Sequence, residues 1–456
     1  MMKNSFYSAI YLVLILFFFA SCRKLVDIDS PKNQLTSDKV FADSANAAEA
    51  VIGMYTKMMP SFSLGFTSGG MTAYPGLAGD ELIQTTTDVN SQFYANNISV
   101  QNNTNATMWR TAYSILYSAN ACIEGVAGSS GLTEAQKAQL TAEARCVRAF
   151  INFYLVNLYG GVPLVLATDY HVGGRLPRAT AEEVYAQIVA DLRYAQATLP
   201  ATGGVTQRAN YYAATALLAK VYLYQKDYAS ALRESDEVIR SGSFQLESNL
   251  ASVFLSSSRE TIWKLLPTYA PRETWEAYYF VPSSATVTPR YVLTTYLLDA
   301  FQAGDLRKAN WIRSSTIRGQ NYSYPYKYKH VASGTATPEH YVLLRLAEQY
   351  LIRAEAKANL DDLSGARADL NQVRNRAGLT SLAPADKAAL LAGIAQERRV
   401  ELFCEWGNRW FDLKRVGQAD AVLSAEKPSW RTTAQWFPIP QAEIGANPAL
   451  QQNAGY

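Results

Sequence analysis

The side chains with most chemistry to offer in this 456-residue chain are aromatic: 29 Tyr, 17 Phe and 8 Trp. Trp275, Tyr278 and Tyr279 crowd one short stretch, Tyr322, Tyr324, Tyr326 and Tyr328 alternate in another, and Tyr74 follows a glycine-rich run. A ring outside a core presents a flat apolar face with a polar edge. That suits the C–H face of a pyranose, whose hydroxyls need polar neighbours. Tyr74, Trp275, Tyr278 and Tyr279, with Tyr322 and Tyr324 behind them, are the candidate ligand contacts. Asp80 joins them as a carboxylate able to accept two hydrogen bonds from vicinal hydroxyls. Trp109, Trp311, Trp410 and Trp436 are assigned to core packing.

Glu397 and Glu401 stand one helical turn apart, a spacing that would serve acid–base chemistry on a glycoside. Helical charge spacing more often means ion pairing, here with arginines such as Arg409 and Arg415, so no catalytic residue is assigned. Asp361-Asp362 reads as a helix cap. Three histidines give no histidine-rich metal site, and neither a metal nor a cofactor is expected. Cys122, Cys146 and Cys404 lie among apolar helical residues and read as buried small hydrophobes. A net charge of +3 over this length argues against nucleic acid as the main partner. No glycine loop of the phosphate-cradling kind precedes a helix.

The elements that must position these residues are mostly helical. Apolar residues recur at helical spacing over 108–126, 134–159 and from about Thr180 to Leu199, with Gly160-Gly161 and Pro163 ending the second run. Residues 218–232 and 353–367 align without gaps, with Ala219/Ala354, Asp227/Asp362 and Ala231/Ala366 corresponding. Small residues at such positions let two antiparallel helices pack closely, as in tetratricopeptide units. The copies lie too far apart for a tandem array, which implies a helical scaffold broken by insertions. Two stretches, about 60–107 and 259–335, lack a sustained period, are rich in Gly, Ser, Thr, Asn and aromatics, and are expected to carry a loop-rich ligand face. Alternation at 322–329 predicts a short edge strand, since Pro325 cannot donate to a ladder.

The N-terminus has an address of its own. Met1 to Ser21 has the form of a secretory signal, and Phe19-Ala20-Ser21-Cys22 resembles a bacterial lipobox. Cys22 is then the lipidated first residue of the mature chain, anchored stably by more than one acyl chain. Residues 22–34 form a polar tether and 35–456 a single domain.

Taken in order, the motifs resemble the SusD/RagB family of Bacteroidota surface lipoproteins. They include Gly79-Asp80-Glu81-Leu82, Leu158-Tyr159-Gly160-Gly161-Val162-Pro163, Arg353-Ala354-Glu355-Ala356, Asn371-Gln372-Val373-Arg374 and Glu397-Arg398-Arg399-Val400-Glu401-Leu402. Arg409-Trp410-Phe411-Asp412-Leu413 and Phe437-Pro438-Ile439-Pro440 follow, and the chain departs from the common pattern at Glu405-Trp406-Gly407. The resemblance implies a mostly α, SusD-like fold with four tetratricopeptide-like helix pairs and a loop-rich ligand-binding face. It implies a non-catalytic nutrient-binding lipoprotein, on the outer membrane and facing the exterior, that acts as the lid of a SusC-like TonB-dependent transporter. Asp80 matches a family position that often lies near the ligand face. The cargo implied is an oligosaccharide. An oligopeptide, as in RagB-like members, a helical glycoside hydrolase and a ligand-free envelope scaffold are the alternatives.

Overall fold

Capping chemistry sets the helix limits. The computed structural model describes residues 40–59, 64–201, 206–268, 273–331 and 338–456, so the expected leader 1–21, Cys22 and the expected tether 22–34 lie outside the described residues. Helix α1 (Ser44–Met58) starts where the Asp43 side chain accepts from the Asn46 amide. After α2 (Met71–Ala78), α3 (Asn103–Gly128) starts at Asn102, α4 (Glu134–Tyr159) at a capping box of Thr133 with Gln136, and α5 (Ala181–Thr198) at one of Thr180 with Glu183. Each cap satisfies amides that the first turn leaves without partners. Helix α4 ends at Gly160, whose φ of +73° suits a residue with no Cβ.

Helices α6 (Tyr211–Tyr224) and α7 (Tyr228–Arg240) form a hairpin. Beyond the short α8 (Trp275–Phe280), α9 (Leu346–Asn359) and α10 (Leu363–Arg376) form its echo, and α11 (Lys387–Glu401) with α12 (Asn408–Arg415) closes the series. The two aligned segments fold identically at the turn. Lys226 and Asp361 both take a left-handed φ, +61° and +66°. The following Asp227 or Asp362 accepts from the Ser230 or Gly365 amide, while its own amide donates at 2.9 Å to the Tyr222 or Lys357 carbonyl. Although the second insertion separates the hairpins in sequence, α7 packs directly on α9. With α4 on α5, α5 on α6 and α10 on α11, the helices make one continuous stack.

Among the described residues six short strands pair two by two, all antiparallel. Strand β1 (Leu82–Gln84) pairs with β3 (Tyr291–Leu293), β2 (Thr261–Leu265) with β6 (Tyr341–Arg345), and β4 (Ile312–Ile317) with β5 (Gln320–Pro325). The β4–β5 turn is Arg318-Gly319, both at positive φ, as a two-residue hairpin prefers. The strand expected over 322–329 stops at Pro325.

The first insertion departs from expectation. Residues 64–82 are buried throughout and largely helical instead of forming an exposed loop. Its glycines serve close packing: a Cβ on Gly70 would stand 2.4 Å from the Gly65 carbonyl oxygen and 2.6 Å from the Met108 sulfur. Trp436 is also misassigned by sequence. It is 38% exposed, with the Lys414 ammonium 3.7 Å above its ring, whereas Trp109, Trp311 and Trp410 are buried as expected. Cys122, Cys146 and Cys404 are buried free thiols, and burial pushes the Cys122 thiol up to about 11.

The second insertion is fastened to the stack by buried charge. Arg345 on β6 donates to Glu405 at 2.8 Å, to Glu260 at 2.9 Å and to Glu401 at 2.6 Å. Arg307 binds Asp305 and also bridges Glu397 and Glu401, Arg374 reaches Glu397, Arg376 holds Glu260 and Glu401, and Lys327 reaches Glu405. Glu397 and Glu401 are therefore ion-paired as expected, but with these residues and not with Arg409 or Arg415. Burial alone would raise the Glu401 carboxyl; Arg376, Arg345 and Arg307 outweigh it and hold the group well below its ordinary value.

Candidate functional site

The two insertions meet at the β1–β3 pair. Leu82 faces Leu293, Ile83 faces Val292 and Gln84 faces Tyr291. The ladder continues outward, where the Thr85 amide donates to the Arg290 carbonyl at 3.0 Å and the Thr85 hydroxyl to the Pro289 carbonyl at 2.7 Å. At that outer end the Arg290 guanidinium donates to Asp88 at 3.0 Å, with both side chains partly exposed. The same guanidinium lies 5.8 Å from the Tyr279 ring centroid, within cation–π range.

Helix α8 supplies the rings. Thr274 caps it by accepting from the Ala277 amide, and Trp275, Tyr278 and Tyr279 then fall at i, i+3 and i+4 on one side. Tyr278 and Tyr279 meet edge to face at 5.1 Å, and each lies within 6 Å of the buried Trp275 ring. Tyr278 is exposed and Tyr279 half-buried. A separate groove of about 520 Å³ runs between the β1–β3 ladder and β5, lined by Ile83, Thr85, Val292, Gln320, Asn321 and Tyr322. The half-buried Tyr322 hydroxyl donates to the Gln320 side chain at 2.9 Å.

Of the residues singled out by sequence, Tyr278 and Tyr279 form the ring pair beside Arg290, and Tyr322 lines the groove. Trp275 supports the pair from beneath. Tyr74 is a correction: it is buried and stacked on Phe93 at 4.7 Å, and burial, followed by Tyr291 and Tyr279, pushes its phenol far above the ordinary value. Tyr324 is likewise buried at the inner end of β5, against Tyr326, and does not line the groove.

Asp80 also has a place other than the one expected. It is 1% exposed, taking Arg409 Nε and Nη2 at 2.8 and 2.7 Å and Arg399 Nη2 at 2.6 Å. Burial would raise its carboxyl, but Arg409 and Arg399 outweigh that and lower it. A carboxylate held this way accepts nothing from a sugar; it rivets the start of β1 to α11 and α12. The Asp80 and Glu81 carbonyls also accept from the Thr294 hydroxyl and amide, which fixes β1 to the end of β3.

Glu81 is buried beside Asp80, and burial first, then Asp80, pushes its carboxyl up to about 8. A raised acid favours the folded state while protonated, so its cost is absent below the unfolded value near 4.5 and grows as pH rises towards 8. The slope is at most about 1.4 kcal/mol per pH unit. Glu81→Gln keeps an oxygen to accept from the Cys404 amide. Its stability advantage over the parent, measured by urea unfolding, is expected to grow between pH 5 and pH 8; a constant difference would contradict the buried, protonated carboxyl.

Asp88 and Arg290 escaped sequence reading because nothing local marks them. Each is one charge in a polar stretch, and 202 positions separate the two. Only the β1–β3 pairing joins them. The outer end of the ladder therefore carries ring surfaces, one carboxylate acceptor and one guanidinium donor, and the groove adds neutral polar groups from Gln320 and Asn321. Groups of these kinds can exchange hydrogen bonds with hydroxyls beside an apolar ring face.

A stack of helix pairs joined by two short-stranded insertions defines a mostly helical, paired-helix fold. Two family models match it in succession: one described as the SusD family over residues 274–456, and one described as starch-binding, associating with outer membrane, over 36–223. SusD-like protein P2 of Formosa agariphila is 26% identical, over 94% of this chain and 96% of that protein. The starch-binding protein SusD of Bacteroides thetaiotaomicron is 23% identical over 72% of this chain and 75% of its own length. A SusD-superfamily structure from Bacteroides vulgatus superposes with a TM-score of 0.81 at 19% identity, covering 91% of this chain and all of that one. A laminarin-binding SusD-like protein gives 0.74 at 23% identity, again over 91% and all. The chain belongs to the SusD/RagB family.

Proposed function

We propose that this protein is a glycan-binding lipoprotein of the outer membrane, facing the exterior and serving as the non-catalytic lid of a SusC-like TonB-dependent transporter. The observation that carries the glycan reading is the Tyr278–Tyr279 ring pair beside the Arg290–Asp88 ion pair. Pyranose faces stack on the rings while hydroxyls donate to Asp88 and accept from Arg290. Binding without turnover is supported by the commitment of the helical carboxylates to arginine: Glu397 and Glu401 serve Arg307, Arg345, Arg374 and Arg376. The starch- and laminarin-binding descriptions of relatives agree with a glycan cargo.

The soluble chain from Arg23 onward, run on affinity gels containing laminarin, amylopectin, arabinoxylan or pectin, is expected to be retarded by at least one. By analogy with ring–ring pairs, each stack contributes about 0.5–1.5 kcal/mol, so replacing Tyr278 and Tyr279 together by Ala should weaken binding roughly 5- to 150-fold. Retention of peptides but of no glycan would overturn the cargo. Glycan cleavage lost on changing one carboxylate would overturn the non-catalytic reading.

Anchoring rests on Cys22, and partnership on the family. A Cys22→Ser chain is expected to lose lipid labelling and to be released into the periplasm. Labelling that persists would remove the anchor. Co-purification of a TonB-dependent barrel with the native lipoprotein tests the lid, and a native preparation without one would count against it.

A further inference from the structure

A second concave surface lies on α3, sharing no residue with the β1–β3 face. Trp109, Tyr113 and Tyr117 follow one another at i, i+4 and i+8, so a single stripe of α3 carries three rings. They step outward: Trp109 is buried, Tyr113 is half-buried with its hydroxyl donating to the Pro163 carbonyl at 3.0 Å, and Tyr117 is 55% exposed. Facing the stripe, the loop after α4 lifts Tyr170 to 75% exposure, its ring 3.9 Å from that of His171. Together they bound a groove of about 410 Å³, within the usual range for small-ligand sites.

The groove mixes its rings with charged and neutral polar groups. Arg110 on α3 and Glu443 from the C-terminal segment both line it, one a donor and the other an acceptor. Asp169 lies on the loop beside Tyr170. Tyr117 and Tyr170 turn apolar ring faces to water, and the exposed Arg110 and half-buried Glu443 line the same groove as a donor and an acceptor. A ligand with apolar ring faces and hydroxyl edges matches both kinds of group.

We infer that the α3 groove is a second saccharide-binding subsite, holding the same glycan as the β1–β3 face through Tyr117 and Tyr170. The inference rests on the glycan reading above and deepens it. A polymer seated at both places gains from effective concentration, so two weak sites retain a long chain that either alone would release.

The test uses whichever of laminarin, amylopectin, arabinoxylan or pectin the parent chain retains, with the matching hexasaccharide for titration calorimetry. The parent is expected to take up two hexasaccharides. Replacing Tyr117 and Tyr170 by Ala, both on the surface, should reduce this to one and weaken polymer retention by about 10-fold or more, while leaving the melting temperature unchanged. Tyr278→Ala/Tyr279→Ala should also leave one, and the quadruple variant none. A parent stoichiometry of one with polymer retention insensitive to Tyr117 and Tyr170 would overturn the second subsite and leave the first intact. Loss of all binding on changing Tyr117 and Tyr170 alone would keep this groove and remove the β1–β3 assignment. A parent that retains none of the four glycans overturns both.

Discussion

Replacing Arg345 by Leu is expected to cost about 3–5 kcal/mol, the penalty for removing one partner from a buried charge network. Its guanidinium spans Glu260, Glu401 and Glu405, all buried, and also donates to the Glu401 carbonyl at 2.9 Å. Without it those carboxylates keep Arg307, Arg376 and Lys327, and the local balance moves one unit negative in a region that water does not reach. Arg345→Lys should recover little, because one ammonium cannot reproduce a fork that meets three carboxylates at once. Urea unfolding reads the effect directly. A loss below about 1 kcal/mol would show that the network is not what holds the second insertion to the helices. Since β3, α8 and β5 all belong to that insertion, the Leu variant should also lose the contact face before the helix stack melts. Tyrosine fluorescence and far-ultraviolet circular dichroism would then give separate transitions.

Deleting residues from Phe437 onward is expected to unfold the domain or leave it insoluble. Phe437, Ile439 and Leu450 are buried, and at about 1.5–3 kcal/mol each their loss rivals the whole stability of a typical domain. The segment is woven in, not laid on. The Phe437 amide donates to the Leu158 carbonyl at 2.9 Å, the Gln441 amide to Val100 at 2.9 Å, and the Asn105 side chain to the Pro438 carbonyl at 2.8 Å. Asn453 returns to bind the Tyr159 and Phe437 carbonyls, and the Phe437 ring packs on Phe93, Tyr159 and Trp410. A milder variant, Phe437→Ala, should cost about 3–5 kcal/mol and can be measured even if the truncation cannot be purified. A truncated chain with the parent's melting temperature would mean that the tail is dispensable.

The helical scaffold was legible from sequence because its signals are local. Thr133 with Gln136, Thr180 with Glu183, and Asp227 with its echo Asp362 mark helix starts within four residues, and Gly160 marks a stop. The repeat between 218–232 and 353–367 needed only alignment, and it correctly announced two like hairpins. Order and number of motifs sufficed for the family. The contact face was harder. Tyr278 and Tyr279 were visible as rings in an aperiodic stretch, but Tyr74, equally aromatic and among glycines, proved to be core, since those glycines permit close approach and not looping out. Asp80 looked like a free carboxylate until Arg399 and Arg409, more than 300 residues on, claimed it. Composition and periodicity thus determined a helix-pair protein with ring-rich insertions. Which rings meet solvent, and which charges are spent on arginine, was decided only in three dimensions. Burial and ion pairing depend on partners that the fold brings from distant parts of the chain, and a local pattern carries no record of them.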